Sequence, residues 1–376
     1  MGVAGVKESA SAMKKIIIAC GGTGGHLAPG IAVAEMLDEC GNKCLLLISN
    51  KQVDSALIKK YKDLDFIKMP GSAFTGGIIQ RFTFFFNLVS SFMVSRRLLR
   101  QESPDLVLLF GGFLSLGLGF AAKSKGIPVA LHEANCHPGR AVRIIKHLSR
   151  RIYLPNAVSL SGVPHERIRH YGYPLRKEIV YSVKAQAQSR LKIIVPKKLL
   201  VVIGGSQGAC VLNDWVKDNF RRLAMEGISL YCVTGLDHRS SVTLHEVDKE
   251  GINITATLVP FSDQMSDVIC AADLIISRAG AGSIAEITRC RAPAILIPYP
   301  HASDDHQQAN AFAHEEAGAC ITLAQEQLDN LADTVIKLIF NDQEIANYKY
   351  RLEQLDRFNS CELITSDLLT LCERRK

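Results

Sequence analysis

Four segments concentrate residues whose types and spacing could do chemistry. GGTGG (21–25) is followed directly by His26, and GGSQG (204–208) repeats its form in the second half of the chain. SRAGAGSIAEITRC (277–290) packs small residues around Ser283 and carries Glu286 one turn on. PYPHASDDHQQANA (298–311) gathers Asp304, Asp305, His306, Gln307, Gln308 and Asn310. Glycines at a strand-to-helix turn reach φ > 0 and let a phosphate approach amide N–H groups, and the helix N-terminus adds about 0.3–1 kcal/mol for an anion. One such loop is as readily a plain tight turn; two of the same form favour a phosphate or diphosphate. Glu286 either complements its helix dipole or accepts two hydrogen bonds from a ribose diol. The amide- and carboxylate-rich loop suits sugar hydroxyls, which need paired donors and acceptors, or it is an exposed polar loop.

Two common phosphate chemistries lose ground on spacing. A dinucleotide fingerprint wants a third glycine where Leu27 stands and an acid after the second strand, where Ser49 and Asn50 stand. Neither glycine loop continues into the G-K-[ST] of a P-loop. An oxidoreductase and an NTPase are both disfavoured.

The elements that must position these loops read as strand–helix alternation. KKIIIAC (14–20), CLLLIS (44–49), LVLLF (106–110) and PVALH (128–132) are apolar runs of the kind buried on both faces, with an apolar-periodic helix over 30–40. The second half begins again with KLLVVIG (198–204), a helix near 211–223, and strands at 228–234, 253–261, 273–277 and 293–298. Such alternation predicts parallel sheets covered by helices. The expected fold is α/β, two similar Rossmann-like domains, each opening on a glycine loop. RHYGYPLRKEI (169–179) is the expected linker. Ligands of open α/β sheets bind outside the strands' carboxyl ends, so a ligand between the domains would be gripped from both sides.

Composition sets the remaining bounds. The chain has 376 residues, 47% hydrophobic and 22% charged, which fits a soluble two-domain protein and excludes disorder. The net charge of +7 suits an anionic ligand or anionic membrane surface without the dense basic blocks of a nucleic-acid binder. The 11 cysteines form no C-x-x-C pair, which argues for reduced thiols and against zinc. FTFFFNLVSSFMV (82–94) is too short and too polar to span a bilayer. Residues 1–13 read as a disordered leader. Phe74, Ile78, Ile79, Phe82, Phe84, Phe85 and Phe86, edged by Arg81, Arg96, Arg97 and Arg100, have the composition of an interfacial segment, with about half of the Phe expected in the core.

Together, GGTGGHLAPGIAVA (21–34), FGGFLSLGLGFAA (110–122), LHEANCHPGRA (131–141), GYPLR (172–176), GGSQGA (204–209), SRAGAGSIAE (277–286) and PYPHASDDHQQANA (298–311) resemble the MurG family of N-acetylglucosaminyltransferases from Met13 onward. The resemblance implies a GT-B fold, two Rossmann-like parallel-sheet domains facing across a cleft. It implies transfer of GlcNAc from UDP-GlcNAc to the muramyl 4-hydroxyl of lipid I, with inversion, at the cytoplasmic face of the bacterial plasma membrane. It implies a peripheral enzyme of peptidoglycan synthesis that needs no metal and no cofactor. The implied partners are UDP-GlcNAc, lipid I and an anionic membrane surface, and no nucleic acid.

Motif by motif, Ser206 would meet the diphosphate and Arg176 would lie near the nucleotide. Ser262 would read the uracil edge through its backbone, where the family commonly has an aliphatic residue. Ala281, Gly282, Ser283, Ile284, Ala285 and Glu286 would wrap the phosphates and ribose; Gly282 and Ser283 match positions that vary in the family. Gln307 and Asn310 would hold sugar hydroxyls, and Thr23, Gly24, Gly25 and Asn135 would approach the GlcNAc and acceptor. His26 is the first candidate general base and Glu133 its rival, the latter alternatively a structural carboxylate under its loop. The implied division is 14–174 for acceptor and membrane, 175–357 for UDP-GlcNAc, and a helix over about 358–376 packing back on the first domain. A related GT-B lipid glycosyltransferase and a UDP-GlcNAc 2-epimerase share the fold; the muramyl-lipid reading is favoured by the LHEANCHPGRA and DDHQQAN segments.

Overall fold

Apolar residues alternate between the two faces of each central strand, so each sheet must be covered twice. In a computed structural model of the chain, which describes residues 12–21, 24–49, 58, 60–69, 78–156, 158–205, 209–235, 240–356 and 359–373, they are. Ile17, Leu47 and Val107 enter one core of the first lobe, while Ile16, Leu46 and Leu108 enter another on the opposite face. Leu200 and Leu230 against Val201 and Tyr231 repeat this in the second lobe.

The first lobe runs β1 (Lys15–Ala19), α1 (Gly24–Glu39), β2 (Lys43–Ile48), β3 (Asp65–Lys68), α2 (Ile78–Glu102), β4 (Leu106–Leu109), α3 (Gly112–Ser124), β5 (Val129–His132), α4 (Arg140–Ile145), β6 (Arg151–Tyr153) and β7 (Ile168–Arg169). The second runs α5 (Lys184–Leu191), β8 (Lys198–Ile203), α6 (Cys210–Met225), β9 (Ile228–Val233), β10 (Val242–Val247), β11 (Asn253–Val259), α7 (Met265–Cys270), β12 (Leu274–Ser277), α8 (Ala281–Arg289), β13 (Ala294–Leu296), α9 (His306–Glu316), β14 (Ile321–Thr322), α10 (Leu331–Ile339) and α11 (Asp342–Leu355). Strand order is β3-β2-β1-β4-β5-β6-β7 in one sheet and β10-β11-β9-β8-β12-β13-β14 in the other. Pairing is parallel except for β10, which lies antiparallel on β11 as an edge.

The chain's order reverses at β1/β4 in the first sheet and at β8/β12 in the second. These are the topological switch points where ligands of such sheets bind. Gly21 after β1 and Gly204–Gly205 after β8 therefore both stand at a switch point, each beside a second small-residue loop, Gly111–Gly112 after β4 and Ala279–Gly282 after β12.

The last helix, α12 (Ser360–Glu373), returns to the first lobe. Cys361, Ile364, Leu368, Leu371 and Cys372 join the core formed by Ile31, Ala34 and Leu37 of α1. Asp367 anchors it, accepting a 2.9 Å bond from the Tyr153 hydroxyl and pairing with Arg151 Nε at 2.7 Å. At the other seam, Ile179 and Ala187 already belong to a core of the second lobe.

One expectation needs correction. The first helix starts at Gly24, not near residue 30, and holds Pro29 inside it. Proline lacks the N–H that would bond the carbonyl four residues back, which is Gly25 O; the Tyr173 hydroxyl supplies that bond at 3.3 Å. The strands β3, β6, β7, β10 and β14 escaped the sequence because they are short or, for β10, exposed along much of their length. Finally, α2 packs on α3 through small residues as well as bulky ones: Ser91 and Ser95 are buried, and Ser91 fills the space a side chain at Gly117 would need. Phe86, Val89, Met93 and Val94 are left exposed. Phe74 and the side chains of Ile78, Ile79, Phe82, Phe84 and Phe85 lie outside the described residues.

Candidate active site between the lobes

In the first lobe, three loops converge at the carboxyl edge of the sheet. His26 is the third residue of α1, half-buried, and faces the Gly111–Gly112 turn. A Cβ on Gly112 would lie 3.7 Å from the His26 ring, and both glycines hold positive φ (85° and 75°), so this turn favours glycine. Gly24 and Gly25 form the first turn of α1. Thr23 lies outside the described residues.

Glu133 and Asn135 follow β5. Glu133 is buried, and its carboxylate is fully engaged: Oε1 accepts from the Asn135 backbone N–H (2.9 Å) and Nδ2 (3.0 Å), and Oε2 accepts from the Gly139 N–H (2.9 Å). It ties the ends of the 133–139 loop together.

His132, just before it, is a buried residue the sequence reading passed over. Burial pushes its pKa down to about 4, so it is neutral at pH 7, and Nε2 meets Gly172 O at 3.0 Å. Its ring packs between Phe110 and Tyr173. The linker is thereby fixed under the first lobe's loops.

In the second lobe, α8 opens directly on the small-residue loop after β12, and Ala281 to Glu286 are its first residues. Glu286 points back to Arg176 of the linker, Oε1 to Nη2 at 3.1 Å. Burial raises the Glu286 pKa, with Arg176 opposing. For Arg176, burial works against the charge, but Glu286, Tyr61 and Glu178 outweigh it and hold its pKa above the usual value. Gly282 is spatially constrained here: a Cβ there would sit 2.9 Å from the Tyr173 hydroxyl. Tyr173 thus lies between Gly25 of one lobe and Gly282 of the other.

Ser262 Oγ accepts from the Gln264 N–H at 3.2 Å, ordering the entry to α7. Gln307 Oε1 accepts from Tyr299 N–H at 3.0 Å and so shapes its own loop. That loop turns at Asp304 and Asp305, both at positive φ (53° and 50°). Beneath it, Arg278 donates to the carbonyls of Ile297 and Pro298 (3.2 Å each) and to Gln325 Oε1 (2.6 Å). Arg278 was not singled out in the sequence; an arginine directly ahead of a small-residue helix start was its only signal. Ser206 lies outside the described residues.

The two sets of loops touch. Asn310 is buried, and its amide bridges the lobes: Oδ1 accepts from Cys136 N–H (2.8 Å), while Nδ2 donates to Asn135 Oδ1 (3.1 Å) and Ala279 O (3.2 Å). Arg140 and Asp304 pair at 3.2 Å nearer the rim. Of the candidates, Gly25, His26, Glu133 and Asn135 share one wall, Ala281–Glu286, Gln307 and Asn310 the other, and Arg176 the floor.

Two family models match this chain, the glycosyltransferase family 28 N-terminal domain over residues 16–154 and the glycosyltransferase family 28 C-terminal domain over residues 199–358. A UDP-N-acetylglucosamine–N-acetylmuramyl-(pentapeptide) pyrophosphoryl-undecaprenol N-acetylglucosamine transferase of Opitutus terrae is 43% identical over 356 residues, covering 95% of this chain and 94% of the relative. Among solved structures, Acinetobacter baumannii MurG aligns with a TM-score of 0.71 at 21% identity, covering 95% of this chain and 99% of that one. A UDP-GlcNAc 2-epimerase from Neisseria meningitidis aligns with a TM-score of 0.67 at 14% identity, covering 95% and 100%. At those identities the structures share the fold, which is GT-B.

Proposed function

The chain belongs to the family of UDP-N-acetylglucosamine–N-acetylmuramyl-(pentapeptide) pyrophosphoryl-undecaprenol N-acetylglucosamine transferases, and we infer that it moves GlcNAc from UDP-GlcNAc to the muramyl 4-hydroxyl of lipid I, making lipid II. One observation carries the site: the loop after β5 meets the second lobe closely enough for Asn310, on the helix after β13, to bond Asn135 and Cys136 as well as Ala279 after β12. A sugar nucleotide held by the second lobe presents its anomeric carbon to a hydroxyl held by the first.

The chemistry is one displacement. The acceptor oxygen bonds the anomeric carbon as the bond to the diphosphate breaks, the centre inverts, the hydroxyl proton passes to a base, and UDP leaves. His26 is the base in this reading. Its ring lies on the first-lobe wall, whereas both oxygens of Glu133 already accept backbone N–H bonds. We assign Glu133 to holding its loop. General-base help of this kind is worth about 10²–10⁴-fold. The leaving diphosphate is met by Arg176 and the α8 N-terminus, fixed donors that stabilise charge as it develops, and by Ser206. Glu286 accepts from the ribose hydroxyls, Ser262 offers its backbone to uracil, and Gln307 holds sugar hydroxyls. Asn310 reaches the sugar only by giving up bonds it now makes to Asn135 and Cys136, so closure and sugar binding exchange partners there.

The exposed face of α2 supports docking on an anionic membrane. Phe86, Val89 and Met93 lie on one exposed stripe, Phe120 of α3 is part-exposed, and Arg96, Arg97 and Arg100 follow on α2. Among the described residues, no helix is long and apolar enough to cross a membrane. Docking there sets the acceptor lobe at the cytoplasmic face where lipid I lies.

The test is UDP release from UDP-GlcNAc with and without a soluble lipid I analogue. Release only with the analogue, accompanied by the disaccharide product, is expected. Acceptor-independent release with N-acetylmannosamine as product would assign an epimerase instead.

A further inference from the structure

Arg176 does not stand alone on the floor of the cleft. Its Nη1 donates to the Tyr61 hydroxyl at 3.4 Å and lies 3.4 Å from Glu178 Oε1, while Nη2 is held by Glu286. The Tyr61 hydroxyl donates onward to Glu178 Oε1 at 2.6 Å, and Lys60 Nζ pairs with the same oxygen at 3.0 Å. Tyr61 is buried in the core of the first lobe with Ile16, Leu27 and Ile48. Glu178 belongs to the linker, and Glu286 to the second lobe. The run Arg176–Tyr61–Glu178 is therefore a directed hydrogen-bond chain that begins at the guanidinium and ends in a carboxylate, with a phenol from the opposite lobe as its middle member.

The charges make this more than packing. Arg176 is one cation between two carboxylates on opposite sides. Without the Tyr61–Glu178 side, Glu286 alone would fix the guanidinium and draw it toward α8. With both, the guanidinium is held between them, and only one of its two pulls need be released for it to turn to an anion. Burial opposes the charge on Glu178, but Tyr61 and Arg176 more than offset this and keep its pKa low; burial keeps the Tyr61 phenol protonated and so able to donate.

We propose that Tyr61 and Glu178 are positioning residues for Arg176, so that the first lobe completes the diphosphate contact of a donor bound mainly by the second. This rests on the assignment of Arg176 to the nucleotide. Donor binding then depends on the relative placement of the lobes even though no first-lobe side chain in the chain need touch the nucleotide.

The experiment is calorimetric titration of the full chain with UDP and, separately, with uridine. Tyr61→Phe keeps the buried ring and removes the hydroxyl; Glu178→Gln keeps the shape and removes the charge. Each is expected to weaken UDP about 3- to 10-fold and leave uridine within about 2-fold, in line with the loss of one charge-linked hydrogen bond. Combined with Arg176→Ala, Tyr61→Phe is expected to add nothing, since the two act through one contact. Unchanged UDP affinity in both single variants would overturn the proposal, and so would equal losses for UDP and uridine, which mark a general loosening. UDP affinity unchanged by Arg176→Ala alone would overturn instead the assignment of Arg176 on which the proposal rests.

Discussion

The two lobes repeat one architecture and fill it differently. Each has a seven-stranded sheet with a switch point beside its first strand. In the first lobe the loops are built around neutral or fully engaged groups: a buried His132, a Glu133 whose oxygens hold backbone N–H groups, and turns of glycine around His26. In the second, the helix start carries an ion-paired Glu286, and the adjoining loop is supported from below by Arg278. The difference fits the proposed division of labour, in which the second lobe holds a charged nucleotide with fixed charge and a helix end and the first presents a shaped wall to the acceptor hydroxyl.

Substitutions that separate turnover from donor binding break this comparison most sharply. His26→Ala should lower kcat with a lipid I analogue by about 10²–10⁴-fold while UDP binding stays near the parent value. Near-normal turnover would remove His26 as base, and lost UDP binding would place it in the donor site. Glu286→Gln should do the reverse, raising the donor KM by about 10-fold with a smaller change in kcat, as expected for the loss of hydrogen bonds to a charged group.

Glu133→Gln sharpens the same contrast. It should cost about 1–3 kcal/mol of stability, because buried N–H groups lose their acceptor, and this is read as a lower unfolding midpoint. A variant as stable as the parent but turned over 10²-fold more slowly, a size typical of a lost base, would restore Glu133 as the base. Phe86→Ser with Met93→Ser should reduce recovery on anionic vesicles and leave soluble-acceptor turnover unchanged; equal vesicle binding would contradict the membrane face.

A pH dependence is shared by both lobes. His132 and His314 are buried with pKa values near 4, below the unfolded 6.5. Each therefore contributes stability that is present above pH 6.5 and lost as pH falls toward 4, because only the unfolded chain takes up the proton. The unfolding midpoint should drop across that window, and His314→Leu should flatten the drop.

The fold was legible where burial is two-sided. KIIIA, LVLL and KLLVVI carry no polar residue in their interiors and could be little else than central strands. It was illegible where tertiary contacts supply what the local sequence lacks. Pro29 argues against a helix over 24–39, and the bond it cannot give Gly25 O is supplied by the Tyr173 hydroxyl, remote in sequence. The site was legible as loops and not as connections. Asn310 and Arg176 stand out by motif, but nothing local says that one would bridge to Cys136 or the other reach Tyr61, because these partners lie on separate lobes. Glu133 shows the limit most plainly: a carboxylate two residues before Asn135 reads as a brace or a base, and which backbone N–H groups occupy its oxygens, those of Asn135 and Gly139, depends on how the loop folds.

The most direct test of the account is a crystal structure of the chain soaked with UDP-GlcNAc. The account predicts the nucleotide against the start of α8, the diphosphate within reach of Arg176, and the sugar turned toward His26 across the gap. A nucleotide bound on another surface, or a sugar directed away from the first lobe, would contradict it.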